Sequence, residues 1–259
     1  MPFHLQGEIR YFQFELFDQS LTHAVFTRQG GVSPEPWAAL NLGSMVGDDL
    51  ERVCENRRRA LATLKCDTES VYDVWQVHGV AVAIADAPRP PKYPHLRADA
   101  ILTDKPGLTL MMRFADCVPI LLHDPVRKVV GIAHAGWMGT VRGTARFAVE
   151  AMQKRYGSRP ADILAAIGPS IGPDHYEVGP DVTLQVKQSF GSDASDLLSF
   201  TTGSMKFDLW AANRLLLQQA GVCQIDVAGL CTACDTGDWY SHRAEKGRTG
   251  RFGVIIALV

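Results

Sequence analysis

Apolar residues along this chain fall into short β-branched or alternating runs, separated by glycine, proline and polar turns. THAVFT near residue 22, VYDVWQV near 71, VAVAIA near 80, ADAILTD near 98, LTLMMRFAD near 108, VPILLHD near 118 and KVVGIAHAG near 128 read as strands. Several are apolar at successive positions, the pattern of strands buried on both faces. A helical period appears at 48–64, where Asp48 and Asp49 can cap and Leu50, Val53, Leu61 and Leu64 share a face. It returns at 139–156, where Val141, Ala145, Ala148, Val149, Met152 and Tyr156 form a stripe. Weaker helices fit 180–190 and 208–220; ILAAIG, CQIDVAG and RFGVIIALV supply late strands. The four prolines of 86–97 make that segment a surface excursion. Strands outnumber helices and several are consecutive. The expected fold class is therefore α+β, with mixed α/β layers rather than strict βαβ alternation.

Composition narrows the function classes. The 259 residues are 46% hydrophobic and 21% charged, which excludes disordered and fibrous classes. No linker or charge run divides them, so a single domain over 1–259 is expected. A formal net charge of −2 offers no bulk attraction to phosphate backbones or anionic lipid, and this argues against nucleic-acid or membrane partners. A small polar substrate and a monomer are expected. The opening MPFHLQGEIRYF lacks leader-peptide character, and no apolar run approaches about twenty residues, so a cytoplasmic location follows. There the six cysteines would be reduced, each serving packing or chemistry.

Three segments place a metal-capable side chain where an apolar run meets glycine or proline: Trp75–Gly79 with His78, Ala115–Pro119 with Cys117, and Ala133–Trp137 with His134. Taken singly, each is an ordinary packed histidine or inert buried cysteine. Together they match the donors zinc prefers, with a fourth position open as in catalytic sites. Asp116 has two readings: a salt bridge or turn cap, or a carboxylate that supports the metal or moves protons. HAGWMGTVRGT leads into the helix expected at 139, whose first N–H groups would face the same pocket and suit an anion; a plain tight turn is the alternative. Arg243, Arg248 and Arg251 offer planar donor forks for phosphate or sugar, or are solvated surface charges. Cys231 and Cys234 have the CxxC spacing without a second pair, and read as structural. No role attaches to His4, His23, His95, His123, His175 or His242.

The ordered segments TRQGGVSPEPWAALNLGSMVGDD, ENR, WQVHG, ADAILTD, ADCVPILLHD, AHAGWMGTVRG, AIGPSIGP, HYEVG, SHR and TGR span nearly the whole chain. In them the sequence resembles the YfiH-type proteins, also called the laccase-domain or multicopper polyphenol oxidase family. The resemblance implies four α/β/β/α layers, similar to the hydrolase domain of the cytotoxic necrotizing factor toxins. It implies His78, Cys117 and His134 as metal-binding and catalytic residues, with Asp116 beside them. It further implies Asn41, Arg57, Arg243, Arg248 and Arg251 as substrate contacts. The implied activity is phosphorolysis of adenosine, inosine, guanosine and methylthioadenosine, with adenosine deamination. Purine nucleoside and phosphate would be the partners and Zn2+ the cofactor, with Cu2+ as the alternative ion. The chain departs from the family pattern at Trp239-Tyr240, where two Phe-like residues are usual, and at Ala244, where a second Arg often stands.

Two other chemistries remain open on the residues. Laccases of the cupredoxin type need His-x-His pairs, which this sequence lacks, but a soft Cys/His site also binds copper, and copper-dependent oxidation of phenols is one alternative. A Cys117 thiolate paired with His134 is the other, a nucleophile for hydrolysis of peptidoglycan precursors.

Overall fold

Two six-stranded mixed sheets lie face to face in the computed structural model, which describes residues 2–90 and 94–259. The strands of the first are β1 (Phe3–Gln6), β2 (Ile9–Phe12), β3 (Leu21–Phe26), β4 (Val71–Asp73), β7 (Thr109–Phe114) and β14 (Phe252–Leu258). The second holds β5 (Val82–Ile84), β6 (Ala100–Thr103), β8 (Val118–Asp124), β9 (Val129–Ala135), β10 (Leu164–Ile167) and β13 (Gln224–Val227). Their orders are β1-β2-β3-β14-β7-β4 and β13-β10-β8-β9-β6-β5. Pairing is antiparallel except for β4 with β7, β5 with β6 and β10 with β13. A hairpin of β11 (Leu198–Thr201) and β12 (Ser204–Phe207) stands apart.

Each sheet is also covered on its outer face. Helix α1 (Leu50–Thr63) packs Ala60 and Leu61 against Ala24, Phe26, Met111 and Ile255 of the first sheet. On the second sheet lie α2 (Trp137–Arg142), α3 (Thr144–Tyr156), α4 (Pro180–Phe190), α5 (Ala194–Leu197) and α6 (Leu209–Gln219). The layers therefore run α/β/β/α. This explains the uninterrupted apolar runs. Side chains alternate across a strand, so Val130 and Ile132 of β9 enter the core between the sheets, while Val129, Ala133 and Ala135 face the helices. By the same alternation His134 points between the sheets, as does Cys117 one residue ahead of β8.

All the expected strands form, although VYDVWQV is a strand only over Val71–Asp73. The hairpins β1-β2 and β11-β12 were not anticipated. Asp49 caps α1 through the N–H groups of Glu51 and Arg52, whereas Leu50, expected on the buried face, is exposed. The helix expected at 139–156 begins at Trp137 and breaks at Gly143, whose positive φ of 85° ends α2 and starts α3. The break places Thr144 where its hydroxyl donates to the carbonyl of Gly79, beside His78. Within 86–97, Pro91 to Tyr93 fall outside the described residues. No helix among the described residues is long and apolar enough to cross a membrane.

Candidate active site

His78, Cys117 and His134 come from three places in the chain and meet at one point: their donor atoms all lie within 4.8 Å of one another. His134 is the penultimate residue of β9 and is buried. Cys117 precedes β8, the partner of β9, and its sulfur is 3.8 Å from Nε2 of His78. The sequence at Gly136 makes this approach feasible. A β-carbon there would sit 2.8 Å from the Cys117 sulfur and 3.1 Å from the His78 ring, so a glycine is the residue that leaves room for the cluster.

His78 has no strand to hold it, and the buried carboxylate of Asp99 does so instead. The N–H groups of Val77, His78 and Gly79 donate to Asp99 at 2.7–3.2 Å, wrapping the 77–79 loop around it and accommodating a φ of 58° at His78. Oδ1 of Asp99 also accepts from Nδ1 of His134 at 2.9 Å. That bond fixes the tautomer of His134 and leaves its Nε2 for Cys117 or a metal. Burial pushes the Asp99 carboxyl up, but His134 and the N–H donors outweigh it and hold it below its ordinary range.

Electrostatics pairs the remaining groups. Burial opposes ionisation of Cys117, yet His134 and the hydrogen bonds from both histidines bring the thiol down to about 6. Burial likewise disfavours the imidazolium of His134, but the Cys117 thiolate and Asp99 raise it to about 9. Without a metal the pair is thus a thiolate and an imidazolium at neutral pH. The donor set, two imidazoles and a low-pKa thiolate with a carboxylate behind one of them, suits a zinc ion with one coordination position left open.

The cluster opens into a cavity of about 590 Å³, lined in part by Phe114, Asp116, Met138, Tyr176, Arg243 and Arg251. Asp116 takes a φ of 82° in the turn between β7 and β8 and belongs to neither strand. Its oxygens accept from the Thr232 hydroxyl at 2.7 Å and the Arg243 N–H at 2.6 Å, tying the opposite wall together. Arg243 donates through Nη1 to the Glu177 carbonyl and lies over the Tyr176 ring. Arg251 is half-buried, with Nη1 donating to the carbonyls of Thr249 and Gly250.

Three sequence-named residues lie elsewhere. Asn41 is buried and holds Asp48, Gly43 and the N–H of Arg251, and so supports the wall without lining it. Arg57 spends its guanidinium on the carbonyl of Leu42 and borders a separate cavity beside α1. Arg248 is exposed and outside the lining. The anion site expected at a helix starting at 139 also shifts: Gly136, Trp137 and Met138 reach the cavity, while Gly139 packs on Thr144. Asp99 is the residue that sequence reasoning missed. Its signal was an acid inside the apolar run ADAILTD, where a charge requires partners.

Residues 22–259 match the family model described as multi-copper polyphenol oxidoreductase laccase. The chain belongs to this family. The laccase-domain chain is 41% identical over 239 residues to a purine nucleoside phosphorylase of Deinococcus radiodurans, covering 92% of this chain and 90% of that one. It is 37% identical to the purine nucleoside phosphorylase YlmD of Bacillus subtilis, covering 90% and 86%. Among solved structures, the Bacillus licheniformis hypothetical protein YfiH superposes on all of this laccase-domain chain and 99% of its own, with a TM-score of 0.92 at 35% identity.

Proposed function

We propose that this chain is a purine nucleoside phosphorylase acting on adenosine, inosine, guanosine and methylthioadenosine, with adenosine deaminase activity at a zinc site of His78, Cys117 and His134. Residues 1–259 form one catalytic domain, working as a cytoplasmic monomer. The observation that carries this reading is the three-donor cluster at the base of an arginine-lined cavity. Relatives bearing the phosphorylase name at 37–41% identity support it.

Zinc bound there would supply Lewis acidity and a lowered pKa for water. The residues of the chain do the rest. Arg243 and Arg251 spend part of their donor forks on the wall and keep the remainder for phosphate oxygens, holding the anion where it can attack the ribosyl carbon as the purine leaves. Asp99 keeps the proton of His134 on Nδ1. Asp116, with both oxygens engaged, positions Arg243 and is not assigned a proton transfer. Asn41 acts from behind by holding the Arg251 backbone.

The low pKa of Cys117 favours one further reading, a cysteine nucleophile acting without metal. Assays on inosine with and without phosphate, adenosine alone, and a phenolic dye separate the chemistries. Phosphate-dependent hypoxanthine release that falls to background in Cys117→Ala and in chelator-stripped protein, and returns to the stripped protein with zinc, is expected. Full activity of stripped protein would transfer the case to the nucleophile. Dye oxidation alone, scaling with copper content, would overturn the proposal.

A further inference from the structure

A second group of donors lies on the far side of the cavity wall. Asp174 and His175 belong to the turn after β10, and Cys231 and Cys234 to the turn after β13. Nδ1 of His175 is 3.8 Å from the Cys231 sulfur, 3.5 Å from the Cys234 sulfur and 3.0 Å from Oδ2 of Asp174, and Cys234 is 3.8 Å from the same Asp174 oxygen. All four donor atoms lie within 4.8 Å of one another. A tetrahedral zinc ion with ordinary bond lengths separates its ligand atoms by about 3.3 to 3.8 Å. The observed spacings are close to those edges.

The surroundings fit a cation. Two thiols, an imidazole and a carboxylate converge there, and the N–H of Gly172 donates to the Cys231 sulfur at 3.1 Å. A β-carbon at Gly172 would fall 2.8 Å from Asp174 Oδ1 and 3.1 Å from the Cys231 Cβ, so the glycine lets the two turns close on each other. The turns are already registered by the bridge between Ser170 and Cys231, with Thr232 donating to the Ser170 carbonyl. The missing second half of the CxxC site is supplied by His175 and Asp174, from a segment more than fifty residues earlier.

We propose that Asp174, His175, Cys231 and Cys234 bind zinc as a closed, four-ligand structural centre, distinct from the pocket. It has no open position for substrate. Its work is to clamp the 170–178 segment, which carries Tyr176, to the 231–243 segment, whose Thr232 and Arg243 are bound by Asp116. The site does not rest on the phosphorylase reading.

The test is zinc content by mass spectrometry of protein purified from zinc-replete cells under reducing conditions. Cys117→Ala should retain roughly one equivalent per chain, and Cys231→Ser/Cys234→Ser in that background should retain none. Cobalt loaded into reduced, chelator-stripped Cys117→Ala should give thiolate-to-metal charge-transfer absorption that the serine pair abolishes. Should that pair fail to fold, Asp174→Asn/His175→Ala, at exposed positions, serves for the same measurements. Equal zinc content with and without the surface substitutions would overturn the centre, as would a Cys231–Cys234 disulfide in protein that takes up no zinc after reduction. Failure of the pocket instead appears as unchanged zinc between wild type and Cys117→Ala while the surface variants still lose theirs.

Discussion

The pocket cluster of His78, Cys117 and His134 stands on the ends of paired central strands and on a loop bound by a buried carboxylate, whereas Asp174, His175, Cys231 and Cys234 stand on two surface turns. Both clusters contain sulfur and imidazole, but Cys117 and Cys234 are driven in opposite directions. The more buried Cys117 is brought down to about 6, because burial is outweighed by His134 and His78. The exposed Cys234 is pushed up to about 12 by partial burial of its thiol and by Cys231 and Asp174 beside it. Imidazoles beside Cys117 overcome its burial, whereas the thiol and carboxylate beside Cys234 add to burial. In the pocket the imidazole of His134 faces the sulfur; in the surface cluster His175 lies 3.0 Å from the Asp174 carboxylate, and the Cys234 thiol keeps its proton.

Alkylation of chelator-stripped, reduced protein tests that contrast most strongly. At pH 7 about nine-tenths of Cys117 is thiolate, while Cys234 is almost wholly protonated. The lower nucleophilicity of the more acidic thiol offsets part of this, leaving Cys117 faster by on the order of 10²-fold. Its rate should fall as pH drops through about 6. The stability linkage has the same origin. The depressed thiol pKa contributes stability above its unfolded value of about 8.5, lost as pH falls through about 6, and the raised His134 pKa contributes below about 6.5, lost as pH rises through about 9. Both describe one ion pair, intact between about 6 and 9. Iodoacetamide labelling read by peptide mapping settles it: faster modification of Cys234 at pH 7 would break the comparison.

The second effect concerns the carboxylate behind the pocket, for which the surface cluster has no counterpart. Asp99→Asn removes the charge facing His134 and an acceptor shared by three N–H groups. Zinc affinity of the pocket should weaken by roughly 10- to 100-fold, as expected when the support of a ligating histidine is lost. Chelator competition in a Cys231→Ser/Cys234→Ser background isolates that pocket. Unchanged affinity, together with an unchanged pH profile of Cys117 alkylation, would remove the positioning role of Asp99.

The two regions also differ in how far the sequence discloses them. Cys117 and His134 were legible because each ends an apolar run and each run is a strand, and the β8-β9 pairing of Pro119 with His134 then brings them together. Asp99 was hidden because its neighbours read as plain strand and nothing local shows what a buried acid binds. The surface cluster was half legible: CxxC stands out, but His175 and Asp174 are adjacent to it through the parallel bridge of Ser170 with Cys231, a tertiary fact. The arginines divide for a similar reason. Arg243 and Arg251 reach the cavity, while Arg57, equally prominent as a motif residue, is consumed by the carbonyl of Leu42. The split at Gly143 escaped because the helical stripe continues across it, and backbone handedness leaves no mark in hydrophobic spacing.

The smallest expected effects come from the two glycines that let each cluster close. At Gly136 a methyl group would meet the Cys117 sulfur at 2.8 Å and the His78 ring at 3.1 Å, both fixed by paired strands or by Asp99. Gly136→Ala should therefore cost about 1–3 kcal/mol, the range for overpacking a close-fitted site, and weaken pocket metal binding in step. At Gly172 the nearest atom is Oδ1 of Asp174, the end of an exposed side chain that can rotate away, although the Cys231 Cβ at 3.1 Å cannot. Gly172→Ala should cost less than Gly136→Ala in denaturant unfolding of the metal-free proteins, because the turn yields where the strands do not. In zinc-loaded protein the ordering should narrow, since an ion that recruits Asp174 removes its freedom to move aside. A larger cost at Gly172 without metal would mean that the surface turns are held as tightly as the core, and the division between a strand-built pocket and a metal-closed clamp would fail.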